Sequence, residues 1–248
     1  MTTIVETSNL TQTFGDHTVL DQVDLSIEKG QFVTIMGPSG SGKSTLLYAL
    51  SGMSTPTSGT VQLNGAELTT MTQAELAALR LAQIGFVFQQ INLLKNLTLL
   101  DNVVLPAFMI AGADKAAAAA RGAELMAEMG VGELTDRDIT AASGGQLQRV
   151  GICRALINDP VVLFGDEPTG ALDSVAAAQI LDILAEIHAS GATVVLVTHD
   201  ARAAARSERV IVLTDGRIAA DRHLGPVDPA SLDARHAELT TWLLEMGL

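Results

Sequence analysis

The chain has 248 residues, 48% of them apolar, with 28 acidic against 15 basic side chains and a net charge of -13. That length and apolar content fill the core of one large domain, or of a domain carrying a sizeable insertion. The acidic balance opposes non-specific attraction to nucleic-acid phosphates and anionic lipid, so no nucleic-acid partner is expected.

Cys153 is the only cysteine, which excludes a disulfide framework, and its place in a helix-like stretch predicts a packed thiol. The positive mean hydropathy comes from scattered Ala, Leu and Val, not from a run of about 18 or more apolar residues, so no membrane span is expected. Met1 to Leu10 carries Glu6 and lacks the basic start and apolar block of a secretory signal, which predicts a cytoplasmic protein.

In chain order, β-like runs come first: Thr3 to Ser8, Val19 to Ile27, and the strongly apolar Phe32 to Met36 that runs into a glycine-rich loop. Thr45 to Leu50 reads as the start of a helix, and Thr60 to Leu63 as a strand ended by the turn pair Asn64-Gly65. Ala74 to Gln83 has helical composition, and Ile84 to Phe88 is a short apolar strand. From Leu99 to about Ile157 the spacing is helical, with Ala116 to Ala120 predicted as a surface helix. The alternation of strand and helix resumes with Val161 to Phe164, Val175 to Ala189, Thr193 to Thr198 and Val210 to Leu213, and Arg235 to Leu248 predicts an amphipathic tail helix. A buried parallel sheet is therefore expected to draw strands from both ends of the chain.

Gly37-Pro-Ser-Gly-Ser-Gly-Lys43-Ser44 fits G-x-x-x-x-G-K-[ST] and lies between an apolar strand and a helix, the context that the pattern needs. Gly37, Gly40 and Gly42 permit backbone angles that aim successive N-H groups at phosphate oxygens, with Ser39, Ser41 and Thr45 lending further backbone to the cradle. Lys43 suits the β- and γ-phosphates and Ser44 suits Mg2+. This predicts ATP or GTP binding and leaves hydrolysis and small-molecule phosphorylation both open.

Val161 to Gly165 delivers Asp166 and Glu167 at a strand end, where Asp166 suits the Mg2+ shell and Glu167 the polarisation of an attacking water. Ala142-Ser143-Gly144-Gly145-Gln146-Leu-Gln-Arg149 opens a helix and offers a second phosphate-binding N-terminus, one more than a single nucleotide needs. These residues resemble the signature motif of ABC ATPases, which usually begins with Leu where this chain has Ala142. The departure removes an apolar side chain and keeps Ser143, Gly144 and Gly145.

The resemblance covers Ile4 to about Ile218 and implies an α/β fold: a P-loop NTPase core with a mixed sheet, an N-terminal antiparallel β part and an inserted α-helical subdomain. It implies one ABC ATPase domain over 1–248, with a catalytic core at about 1–90 and 158–222, a helical subdomain at about 91–157 and a tail at about 223–248. It also implies a homodimer in the ATP-bound state, with the signature loop of one copy closing on the γ-phosphate held by the other. Gln89 corresponds to the Q-loop glutamine, placed to reach Mg2+ or the lytic water. Ala171-Leu172-Asp173 resembles the D-loop that couples two sites across a dimer, and His199, at the end of a strand, resembles the switch histidine that bonds the γ-phosphate. Phe14 stands where the family has an adenine-stacking aromatic, commonly Tyr. His17, His188, His223 and His236 have no metal-ligand spacing, and Trp242 and Tyr48 read as packing residues.

Within the family, Ile84 to Leu94 and Asp166 to Asp173 are most similar to the ATPases of macrolide-exporter, lipoprotein-release, antimicrobial-peptide-resistance and haem-exporter systems. That implies an ATPase on the inner face of the cell membrane, driving a permease and acting as an exporter. The permease contact is expected near Gln89 to Leu105, with Leu93, Leu94, Leu97 and Leu99 either facing it or buried in an amphipathic helix. An ATP-gated regulator of a membrane partner would keep the same motifs. A soluble DNA-repair or chromosome-organising ATPase would need coiled coils, zinc cysteines or a basic face, which the sequence lacks.

Overall fold

A computed structural model describes residues 2–248 and resolves the chain into two compact units, Met1–Leu76 with Ile187–Leu248, and Ala77–Glu186. In chain order the strands and helices are β1 (Thr3–Phe14), β2 (His17–Glu28), β3 (Phe32–Met36), α1 (Lys43–Leu50), β4 (Ser58–Leu63), β5 (Ala66–Glu67) and α2 (Gln73–Gln83). Then follow β6 (Ile84–Phe88), α3 (Leu99–Phe108), α4 (Lys115–Glu128), α5 (Gly144–Leu156), β7 (Val162–Asp166) and α6 (Ser174–Ala189). The chain ends with β8 (Thr193–Val197), α7 (Ala201–Ala204), β9 (Arg209–Thr214), β10 (Arg217–His223) and α8 (Leu232–Glu245).

In the first unit β1 and β2 form one long antiparallel hairpin, Phe14 opposite His17, and β4 and β5 extend it in the order β2-β1-β4-β5. β1 runs well beyond its predicted end at Ser8, whereas β2 matches its predicted segment to within two residues at each end. In β1 the buried positions include polar Thr7 and Gln12, which mask the period when only apolar residues are counted. β3 pairs in parallel with β8 and with β9, and β10 returns antiparallel on β9. The expectation of a parallel sheet drawn from both ends of the chain holds within this unit. All five residues of β3 and of β8 are buried, as a strand covered on both faces requires.

The tail helix begins one turn before the predicted start because Asp228 caps a short 3-10 turn, Pro229–Ser231, that feeds it. Leu239 and Leu243 of α8 pack with Met36, Ala204, Val210 and Val212, and Trp242 covers their edge. Arg235 fixes the helix: its guanidinium donates to the carbonyls of Leu224 (3.1 Å), Pro226 (3.2 Å) and Gly225 (2.9 Å), and to that of Ser207.

In the second unit β6 and β7 are parallel, Phe88 opposite Asp166, beside a helical core of Leu99, Val103, Leu125, Met126, Val150 and Cys153. Gly122 lets α4 approach α3, since a Cβ there would lie 2.6 Å from a methyl of Val104. The alanine run at the start of α4 faces outward or is half-buried, as predicted. Of the four leucines set against a permease groove, Leu99 is fully buried, Leu93 leans on the same core, and Leu94 is exposed at 47%. Leu99 is therefore a core residue: it opens α3, capped by Thr98 and Asp101, with its side chain turned inward.

Two outcomes follow from this packing. Arg235→Ala should leave four carbonyls without their charged donor and lower stability by about 2–3 kcal/mol, read by urea unfolding, with trypsin releasing the tail first. Burial pushes the Cys153 thiol up to about 12, so it stays protonated in the folded chain while the unfolded thiol ionises near 9.0. Stability from this group is accordingly complete below about pH 9 and declines as pH rises from there to about 12, and a thiol reagent at pH 8 should label Cys153 only after denaturant is added.

Candidate functional site

The phosphate loop belongs to the first unit and leaves the end of β3. Gly37 has φ 149° and Gly42 has φ 99°, both outside the reach of ordinary side chains. A Cβ on Gly37 would sit 2.0 Å from the carbonyl oxygen of Leu213, and one on Gly42 2.8 Å from that of Val19. The loop is therefore built on glycine for space as well as for angle. Gly42 is also the N-cap of α1 and supplies no side-chain cap, so no side chain of its own takes up the first-turn amides.

Lys43 reaches back and donates to the carbonyls of Gly37 (2.9 Å) and Pro38 (2.8 Å), which holds its ammonium against the loop that carries it. Ser39 and Gly40 are exposed at the apex, whereas Ser44 and Thr45 are half-buried in the first helical turn. The Ser41 hydroxyl is buried and has no hydrogen-bond partner. His199 emerges beside this loop because β3 and β8 are in parallel register, Ile35 opposite Val197, and Thr198 donates its amide to the carbonyl of Ile35 at 3.2 Å. His199 is exposed, and Asp200 behind it caps α7. Phe14 projects at the tip of the β1-β2 hairpin with 58% of its surface exposed.

The second unit brings together Gln89, Asp166 and Glu167. Because Phe88 and Asp166 are opposite one another in parallel strands, Gln89 and Glu167 leave the same strand edge. A Cβ added to Gly170 would lie 2.9 Å from the Gln89 amide nitrogen and 3.3 Å from a Glu167 carboxylate oxygen. Both side chains therefore close over the bare α-carbon of Gly170. Glu167 has a left-handed backbone, φ 43°, fixed by a hydrogen bond from the Gly170 amide to its carbonyl at 3.0 Å. For a non-glycine residue that conformation costs about 1–2 kcal/mol, and such cost is concentrated at functional turns.

Ser143 caps α5 in a reciprocal box: its hydroxyl accepts from the Gln146 amide at 3.3 Å, and the Gln146 side-chain oxygen accepts from the Ser143 amide at 2.9 Å. The hydroxyl proton of Ser143 and the side-chain NH2 of Gln146 take no part in this box. Gly145 would place a Cβ 3.1 Å from that of Ala176, and Gly144 one 3.6 Å from Leu172, so the signature loop packs beside the loop that carries Asp173. Asp173 caps α6, accepting from Val175 (3.0 Å) and Ala176 (2.9 Å) through one oxygen. Ala142 leans on the helical core.

Ser44, Asp166 and Gln89 offer hydroxyl, carboxylate and amide oxygens, the hard donors that suit Mg2+. Among the described residues no group of three or more His, Cys, Asp or Glu is placed to hold a metal. A cation carried by phosphates needs only one or two protein oxygens, so the chemistry of Asp166 and Gln89 in the second unit, and that of Ser44 in the first, each fits one. Among the described residues no helix is long and apolar enough to cross a membrane.

Three residues of this unit escaped the sequence reading. Gln148, 2% exposed, donates to the Phe88 carbonyl at 3.2 Å; Arg154 donates to those of Ile91 (2.7 Å) and Asn92 (2.9 Å); Asn102, 1% exposed, bonds both backbone groups of Leu94. Their only sequence signal is a polar side chain on the inward side of a helix.

Comparison with known proteins identifies the family. The family model described as ABC transporter matches residues 20–170, more than half of the chain. The macrolide export ATP-binding/permease protein MacB of Neisseria meningitidis serogroup A is 42% identical over 96% of this chain and 38% of its own length. MacB 1/2 of Paracoccus denitrificans is 48% identical over 84% of this chain and 31% of its own. The chain thus spans about a third of the length of these curated relatives. A dimeric post-hydrolysis structure of the ATP-binding cassette MJ0796, bound to ADP and Pi, superposes with a TM-score of 0.82 at 38% identity, over 90% of this chain and 100% of that one. The likeness extends to the whole α/β architecture, with its antiparallel N-terminal sheet and helical insertion.

Replacing Gly170 by Ala should drive a methyl group between Gln89 and Glu167. Steady-state kinetics should show kcat falling about tenfold or more while nucleotide affinity, from a fluorescent analogue, changes by less than about threefold.

Proposed function

The chain belongs to the ABC transporter family of ATPases, and we propose that it is the ATP-hydrolysing motor of an exporter, acting through ATP-driven pairing of two copies on a membrane permease. The observation that carries this reading is the convergence of Gln89 and Glu167 over Gly170, which pairs a candidate base with a polar amide at one strand edge. A carboxylate beside an amide at this edge suits activation of a water. The names of the MacB relatives support export and a permease partner, and the dimeric cassette supports two copies.

In this mechanism the loop Gly37, Ser39, Gly40, Ser41, Gly42 and Thr45 binds the triphosphate through backbone amides, and Lys43 neutralises its outer oxygens. Phe14 stacks on the adenine. Ser44, Asp166 and Gln89 would offer oxygens to Mg2+, which would supply charge neutralisation at the phosphates. Glu167 accepts the proton of the attacking water, and His199 hydrogen-bonds the γ-phosphate and orients that water. Ser143, Gly144, Gly145 and Gln146 of a second copy face the γ-phosphate, with Asp173 linking the two sites. The work is done on the cytoplasmic face of the membrane.

Glu167→Gln tests the base and the dimer together. It should lower kcat by about 100-fold or more and elute as a dimer in ATP and a monomer in ADP, while the wild-type specific activity rises with protein concentration. A monomer that hydrolyses ATP unaffected by the substitution would refute the proposal. Reconstitution with the permease separates export from ATP-gated regulation: substrate movement supports the first, and stimulated hydrolysis without movement the second.

A further inference from the structure

The loop that carries Gln89 has no regular structure between β6 and α3, yet it is held from both sides by one helix. Gln148 of α5 takes the carbonyl of Phe88, the residue immediately before Gln89. Two turns further along, the fork of Arg154 takes the successive carbonyls of Ile91 and Asn92, at 2.7 and 2.9 Å, just after it. Between them Gly151 leaves no room to spare: a Cβ there would meet a methyl of Ile91 at 3.1 Å. Asn92 sits in a left-handed turn, φ 51°, which presents its carbonyl and that of Ile91 to the same guanidinium.

Arg154 makes no carboxylate contact among the described residues. Its charge is directed wholly at backbone oxygens, and burial holds its pKa below the ordinary arginine range without taking the group near neutrality. A half-buried cation without a counter-ion is costly unless it fixes something, and what it fixes is the turn at Ile91 and Asn92, which with the Gln148 bond to Phe88 brackets Gln89.

We infer that Gln148 and Arg154 are positioning residues for Gln89, and that α5, whose N-terminus is the Ser143-Gly144-Gly145 loop, sets where the Gln89 side chain stands relative to Glu167. The inference rests on the reading of Gln89 as a group that acts on Mg2+ or the lytic water. Any displacement of α5 at its phosphate-facing end moves the carbonyl clamps with it, because a helix of 13 residues transmits axial displacement as a rod. Gln89 then approaches or leaves Glu167 according to what Ser143 meets.

The test is a double-mutant cycle on ATP hydrolysis by the full chain. Arg154→Ala should lower kcat about tenfold with the KM for ATP changed by less than about twofold, and Arg154→Lys should restore part of the loss, one ammonium reaching one carbonyl better than two. In a Gln89→Ala background Arg154→Ala should have an effect of less than about twofold, because its target is already gone. Full additivity of the two substitutions, or wild-type kcat in Arg154→Ala, overturns the inference. Amide hydrogen exchange over residues 89–94 reads the clamp without reference to activity: it should quicken about tenfold in Arg154→Ala while α4 is unchanged, and no change there also overturns it. Quickened exchange together with wild-type kcat in Gln89→Ala would keep the clamp and refute instead the hydrolytic role of Gln89.

Discussion

A strand buried on both faces can present charge only at its ends, and the chemistry of this chain is arranged by that constraint. β3, β7 and β8 expose no residue along their length. β3 is parallel to β8 in the first unit and β7 to β6 in the second, so carboxyl ends are aligned within each unit, and each strand ends in groups that suit phosphate chemistry: the Gly37 loop, His199, and Asp166 with Glu167. The chain must then turn within one or two residues. Glycine meets that need at Gly37, but at Glu167 the turn falls on a residue that carries a carboxylate, and its backbone is left-handed there. Gly170, placed three residues later, returns an amide to hold the turn and leaves open the space that Gln89 and Glu167 occupy.

The same residues serve structure and the proposed chemistry because hydrogen-bonding groups are divided between the two. Ser143 accepts with its oxygen to cap α5 and keeps a proton to donate; Gln146 accepts with its carbonyl and keeps its NH2. Asp173 caps α6 through one oxygen and keeps the other. A loop assembled in this way is ordered before any phosphate arrives, so binding does not have to order it. The Ala142 departure fits that logic, since the cap lies one residue beyond it and the smaller side chain still touches the helical core.

Most of the fold and the segments carrying the candidate site were legible because both are written in local patterns. Phe32 to Met36 and Thr193 to Thr198 could only be buried strands, and the glycine spacing from Gly37 to Gly42 has few other uses. Length was less legible where the buried positions included polar residues, as in β1, and so was the start of α8, which depends on the cap at Asp228. The side chains of Gln148 and Arg154 were illegible for a different reason. They grip backbone carbonyls about 60 residues away, and a carbonyl leaves no trace in a sequence. Leu99 shows the limit of composition alone: four leucines in seven residues cannot be divided into core and surface until the cap at Thr98 fixes the phase of the helix.

Charge offers the last step. A chain with a net charge of -13 is an unpromising receptor for a triphosphate, and its cations are largely engaged elsewhere. Arg209 is paired with Asp221, Arg217 with Asp21, Arg121 with Glu124 and Arg222 with Glu238, while Arg149, Arg154 and Arg235 hold carbonyls. Anion affinity must therefore come from a few oriented groups close at hand, because exposed charges beyond about 8–10 Å are largely screened at physiological salt. The backbone amides from Gly37 to Thr45, the amino end of α1 and the ammonium of Lys43 are such groups, and none depends on net charge. A net negative charge opposes polyanions at large, so phosphate is favoured only where the backbone has been shaped to receive it.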